Sequence, residues 1–225
     1  MLNKIQISTM IGLQDSMNSK INPNWIVADY NWMLAGAMEM AEAIEHHGWK
    51  WWKASVPNWP ALRVELVDYW HFVLSKSIVD SEGVYDSAMN FLLPVEDKDP
   101  GLFLFDGYVR TISEMTIVEK LFYLVGLASV GRFEFYLFQS IMEDAKFSWE
   151  ELFIQYICKN VLNNFRQDNG YKENTYTKIW YDGREDNDHM LDVLEAFRDK
   201  IYEPEFVAVM NIELNERYLR TIEEK

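Results

Sequence analysis

Apolar residues recur along this chain at three- and four-residue steps, the period of a helix buried along one side. Ile5, Ile7, Met10, Leu13 and Met17 mark a first helix within 2–21. It ends before Asn22-Pro23, because the residue preceding a proline avoids the helical region. A second helix is predicted over 25–47, where Trp32, Ala35, Met38 and Ala41/Glu42 recur, with Gly48 as its stop. After a Trp/Lys-rich connection over 49–60, a third is predicted from 61 to about 79, its first turn pre-set by Pro60. Leu62, Leu66, Tyr69 and Val73 form one apolar line, and Val67, Trp70 and Leu74 widen it beyond a surface helix's stripe. That helix is expected at the centre.

The pattern then breaks. Pro94, Pro100, Gly101 and the acidic run Glu96-Asp97-Lys98-Asp99 read as an irregular excursion around 81–110, with one short helix at most. Residues 111–142 read as helical, broken or bent near Gly126 or Gly131. Ser148 and Glu151 have capping-box spacing and open a helix running through Trp149, Leu152, Ile157 and Leu162 to about Phe165. Asn169-Gly170 closes it, an ordered polar loop extends to Asn187, and helices over 188–202 and 204–222 complete the chain. Alternating strand patterns are scarce and no internal repeat or boundary is visible. The expected fold is an all-α helical bundle, a single domain over 1–225.

Composition bounds what such a bundle does. With 49 % hydrophobic and 15 % aromatic residues in 225, the chain can bury a sizeable core, which excludes intrinsic disorder. Against 21 basic residues stand 36 acidic ones, a net charge of −15, so a nucleic-acid polymer is not an expected partner. A phosphate-rich small molecule remains open where cations or a local basic set absorb its charge. Cys158, the only cysteine, cannot form an intrachain disulfide; its apolar helical setting predicts a buried structural thiol and fits a reducing compartment. No basic stretch leading into an apolar run opens the chain, and the longest apolar candidate, 121–130, is too short for a bilayer. The expectation is no membrane and a cytoplasmic location, a host's cytoplasm if the source is viral.

Two carboxylate pairs carry the first chemical signal: Glu39-Met40-Ala41-Glu42 and Glu65-Leu66-Val67-Asp68. A three-residue step puts both acids of each pair on one helix face, and adjacent antiparallel helices can bring the pairs together. Taken singly, an E-x-x-E is ordinary on a solvated helix. Here Glu65 and Asp68 sit among Leu62, Val64, Leu66, Val67, Tyr69 and Trp70, which gives little reason for a solvated stripe. Converging carboxylates repel unless a hard divalent cation, Mg²⁺ or Mn²⁺, resolves the charge. His71 invites a di-iron carboxylate reading, but the E-x-x-H pairs of such bundles are represented only by Asp68-x-x-His71, and His71 reads better as a hydrogen-bonded core residue.

The second signal is Lys159-Asn160-Val161-Leu162-Asn163-Asn164-Phe165-Arg166-Gln167-Asp168-Asn169-Gly170-Tyr171-Lys172, continuing through Tyr176, Lys178, Trp180 and Glu185-Asp186-Asn187. Lys159, Asn163 and Arg166 share a helical face beside a loop that supplies Tyr171 and Lys178. Convergent cations and amides suit several phosphate oxygens better than one carboxylate, although basic residues near a helix end are also ordinary. The chain has no G-x-x-x-x-G-K-[ST] loop and no G-x-S-x-G, which excludes a P-loop NTPase and weighs against a serine hydrolase.

With Leu13-Gln14, Asn18 and Trp49-Lys50-Trp51-Trp52-Lys53 added, these runs resemble the dimeric, all-α dUTPase family, related to the MazG-like, all-α NTP pyrophosphohydrolases. The likeness spans roughly 13–187, and the F-R-Q-x-N-G-Y-K run is its most specific part. It implies hydrolysis of dUTP, and usually dUDP, to dUMP with Mg²⁺, by a homodimer whose partner subunit helps build each site. Glu39, Glu42, Glu65 and Asp68 inherit the metal-holding and catalytic role, with Glu39 orienting and deprotonating the attacking water. Phe72 matches the residue that stacks on uracil, and Gln14 and Asn18 match the amides facing the base. Lys159, Asn163, Arg166, Tyr171 and Lys178 match the phosphate-contacting positions. Residues 81–110 align with no family motif, and the aromatic stretch from Trp25 to Trp32 has no assigned role. Competing readings are a related pyrophosphohydrolase acting on dCTP or other non-standard nucleotides, the di-iron bundle, and a purely structural helical module.

Overall fold

The computed structural model describes residues 2–94, 99–203 and 205–223. Residues 96–98 of the acidic run and Pro204, the expected start of the last helix, lie outside them. The contacts gather into two units, Met1–Phe153 and Ile154–Lys225, divided within one helix.

In the first unit, α1 (Lys4–Ile21) opens on a reciprocal cap. Asn3 accepts from the Gln6 N–H at 2.9 Å and Gln6 accepts from the Asn3 N–H at 3.0 Å, which satisfies two otherwise orphaned donors. α2 (Trp32–His47) begins at Trp32 rather than at residue 25. Trp25–Val27 form one 3₁₀ turn, Asp29 takes a φ of 51°, and the Asn31 side chain caps the Leu34 N–H at 3.0 Å. The apolar recurrence runs through this reversal because Trp25 is buried on its own account. α3 (Trp59–Asp80) is capped by Asn58, carries Pro60 in its first turn and buries thirteen of its 22 residues, as expected of a central helix.

α2 packs on α3, and Gly36 lies in that contact. A Cβ there would stand 3.0 Å from Cδ2 of Tyr69, a fully buried ring held by Phe133 and Phe138. Gly36→Ala therefore overpacks the contact by about 1–3 kcal/mol, offset by about 1 kcal/mol of better helix propensity. A net loss of about 1 kcal/mol is expected in urea unfolding; an unchanged midpoint would show that Tyr69 yields.

The excursion holds the anticipated short helix, α4 (Tyr85–Phe91), and also a strand pair that the pattern did not reveal. β1 (Leu102–Phe105) and β2 (Tyr108–Thr111) pair antiparallel around Asp106-Gly107, with φ of 49° and 78°, the primed turn that Asp-Gly favours. Leu-Phe-Leu-Phe shows no polar alternation, so only the turn dipeptide marked the hairpin. α5 (Ile117–Ser129) and α6 (Phe135–Asp144) follow, and the break falls around Gly131. Gly126 lies inside α5, where a Cβ would meet the Phe105 ring at 2.9 Å; it seats the hairpin and does not break the helix. α7 (Trp149–Asp168) starts where Ser148 Oγ accepts from the Glu151 N–H at 3.1 Å.

The second unit contains the rest of α7, the loop after it, α8 (Asp186–Ala196) and α9 (Phe206–Glu223). α8 is shorter than the helix expected over 188–202, and Arg198–Lys200 form a separate turn. Leu162 and Phe165 pack with Val193, Leu214 and Tyr218, and Cys158 is buried among them as expected. No helix of the described residues is long and apolar enough to cross a membrane.

Candidate active site

The three-residue step along α2 places Glu39 and Glu42 one turn apart, and α3 brings Glu65 to them. One carboxylate oxygen from each lies within 4.8 Å of the other two. Oxygens on opposite sides of an octahedral magnesium stand about 4.2 Å apart, so small side-chain adjustments let all three share one cation. The group contains only carboxylates, the donor set of a hard divalent ion. Glu65 is 8 % exposed, Glu42 faces solvent and Glu39 is intermediate. Asp68, half-buried one turn after Glu65, is not in the 4.8 Å group.

Two neighbours shape this cluster. His46 Nε2 lies 3.1 Å from Glu65 Oε1 and ties the ends of α2 and α3 together. Its position four residues after Glu42 was a visible signal that the sequence reading did not take up. Glu45 belongs elsewhere: it accepts from Lys50 Nζ at 2.9 Å and from Trp49 Nε1 at 2.6 Å, and these bonds lower its pKa. On that side, α2, α5 and the hairpin line an open pocket of about 700 Å³ with Ala41, Ile44, Phe105, Phe122 and Tyr123, and none of the four carboxylates lines it.

The expected base-facing residues sit between α1 and α3 in a ring of hydrogen bonds. The His71 Nδ1–H donates to Gln14 Oε1 at 2.7 Å, Gln14 Nε2 to Asn18 Oδ1 at 3.1 Å, Asn18 Nδ2 to Ser75 Oγ at 2.9 Å, and Ser75 Oγ back to the His71 carbonyl at 3.0 Å. An amide oxygen only accepts, so in this arrangement His71 Nδ1 is the donor. All four residues are buried, which makes His71 the core histidine its setting suggested. Phe72, next in α3 and partly exposed, faces Trp32 with ring centres 6.5 Å apart.

In the second unit the expected phosphate-contacting residues do gather. Lys159, 2 % exposed, donates Nζ to Asn187 Oδ1 at 2.8 Å. Arg166 donates Nε and Nη2 to the two oxygens of Asp186, both at 2.8 Å, Nη1 to Asn163 Oδ1 at 3.1 Å and Nη2 to Asn187 Oδ1 at 3.3 Å. The Tyr171 ring carries the Arg166 guanidinium at 5.9 Å and the Lys178 ammonium at 5.8 Å. Burial pushes the Asp186 pKa up, but Arg166, the Tyr176 hydroxyl and Lys159 together outweigh it and hold the carboxyl below the ordinary range. Asp186, Asn187 and Tyr176 stood in the quoted run without assigned tasks; only folding the loop back onto α7 shows what they hold.

Carboxylates from two packed helices, spaced for one divalent cation in a predominantly helical chain, define a candidate metal-dependent helical enzyme. A family model described as dUTPase matches residues 6–171, and the chain belongs to that all-α, homodimeric dUTPase-like family. No curated protein matches it significantly. The matched span includes the acidic cluster and Arg166, while Lys178, Asp186 and Asn187 lie beyond it. Family and cluster together support a metal-dependent pyrophosphohydrolase.

Proposed function

We propose that the chain is a dUTP diphosphatase, acting on dUTP and also on dUDP to give dUMP, as a homodimer with Mg²⁺ (Mn²⁺ substituting). The observation that carries this reading is the approach of Glu39, Glu42 and Glu65 to within 4.8 Å in a member of the dUTPase family. With dUTP, water attacks a phosphorus flanking the α–β bridge in line, and that bridge breaks to leave dUMP and pyrophosphate. Glu39, Glu42, Glu65 and Asp68 hold the cation, which when bound acidifies water and neutralises charge on the leaving group. Glu39 orients the water and accepts its proton. Lys159, Arg166 and Lys178 offset the charge of the phosphates, with Asn163 and Tyr171 beside them.

Phe72 stacks on the base, which alone hardly separates uracil from cytosine. The directional contact comes from Gln14 and Asn18, and their place in a buried hydrogen-bond ring supports a selective role. The test is pyrophosphate release from dUTP, dCTP, UTP and dTTP with and without Mg²⁺. Turnover of dUTP at least about 100-fold above dCTP is expected, and none without the cation. Comparable rates on dCTP would replace this reading with a broader pyrophosphohydrolase. Absence of cation-dependent release from any of them would remove it altogether.

A further inference from the structure

We infer that Asp186 is a positioning residue: it aims the Arg166 guanidinium at the polyphosphate by occupying one edge of its fork. The inference rests on the dUTP reading above. Asp186 is fully buried and takes both the Nε and one Nη2 hydrogen at 2.8 Å. The other described bonds of the fork go to neutral amides, Asn163 at 3.1 Å and Asn187 at 3.3 Å. A carboxylate holding two parallel N–H groups is a much stronger partner than an amide oxygen. Incoming phosphate oxygens therefore displace the amides and leave the Asp186 pair intact.

Asp186 is itself fixed from two directions. The Tyr176 hydroxyl donates to its Oδ2 at 2.9 Å, and its backbone N–H donates to the Lys178 carbonyl at 2.9 Å. One side chain thus sets the angle of Arg166 while its backbone anchors the loop segment that carries Lys178. The cation stays whether or not Asp186 is charged; what Asp186 supplies is direction.

The test is dUTP turnover by Asp186→Asn, Tyr176→Phe, Arg166→Lys and the Asp186→Asn/Arg166→Lys double variant, each checked for fold by circular dichroism. Asp186→Asn is expected to lower kcat about 30-fold with KM unchanged or lower, because the guanidinium charge remains and only its aim is lost. A binding defect would instead raise KM. In the Arg166→Lys background the same change should cost less than about threefold, since an ammonium has no fork to aim. Tyr176→Phe should lower kcat about fivefold and carries the test if Asp186→Asn does not fold. A folded Asp186→Asn chain with wild-type kcat, an equal loss in the lysine background, or an unaffected Tyr176→Phe chain overturns the assignment. A wild-type chain that releases no pyrophosphate from dUTP overturns the dUTP reading first, and the role of Asp186 with it.

Discussion

Glu39→Gln and Glu65→Gln each leave a folded chain whose Mg²⁺-dependent release of pyrophosphate from dUTP is slower by about a thousandfold or more. Either change keeps the side-chain volume and removes one of three anionic ligands held within 4.8 Å. Losing several kcal/mol of charge stabilisation in the transition state corresponds to about three powers of ten in rate. The fold should not suffer. Three carboxylates this close repel one another in the cation-free chain, so Glu39→Gln relieves repulsion between α2 and α3, whereas Glu65→Gln also gives up the carboxylate that faces His46. Thermal unfolding of Glu39→Gln without Mg²⁺ should show a midpoint equal to or above wild type, and in both variants the stabilisation conferred by added Mg²⁺ should shrink. Activity within tenfold of wild type, in either variant, would disconnect the cluster from the chemistry.

Trp70→Ala has the largest expected effect on stability. The indole is fully buried, stacks on Phe138 with centres 5.6 Å apart and planes at 10°, and meets Phe133 and Trp149 edge-on at 5.9 and 5.6 Å. Removing it loses about 3–5 kcal/mol, a large part of the roughly 5–15 kcal/mol that holds a domain folded. Trp70 Nε1 is buried with no hydrogen-bond partner among the described residues, so Trp70→Phe removes that unsatisfied donor together with part of the ring. Its loss should be near 1 kcal/mol. Urea titrations of the two variants measure the difference, and equal losses would mean that the packing at this position is loose.

The centre of the fold and the acidic cluster of the candidate site could both be read from the sequence. α3 is apolar almost all round because it is enclosed almost all round, and the pairs Glu39/Glu42 and Glu65/Asp68 stand out against that background. Pro60, Ser148 and Gly48 marked helix ends because their local chemistry acts over three or four residues. What escaped depends on contacts distant in sequence. Trp25 looks like the first residue of α2 until its own burial and the Asn31 cap show a turn between them. The hairpin carries apolar residues on both faces, so period-two reasoning had nothing to detect, and Gly126 competed with Gly131 as the break until the Phe105 ring showed what it seats. His46 and Asp186 belong to the same class. Each acquires its task from a partner 19 or 20 residues away, and neither residue type is rare enough to announce it.

The burial of Cys158 has a practical consequence. The chain's sole thiol is sealed inside the second unit, so maleimide and methanethiosulfonate reagents should leave the native protein unlabelled. A cysteine placed at an open position such as Trp51, 89 % exposed in the turn after α2, would then take a spin or fluorescent label with no competing background. One label per copy would let dipolar spectroscopy count subunits and follow movement as nucleotide is added.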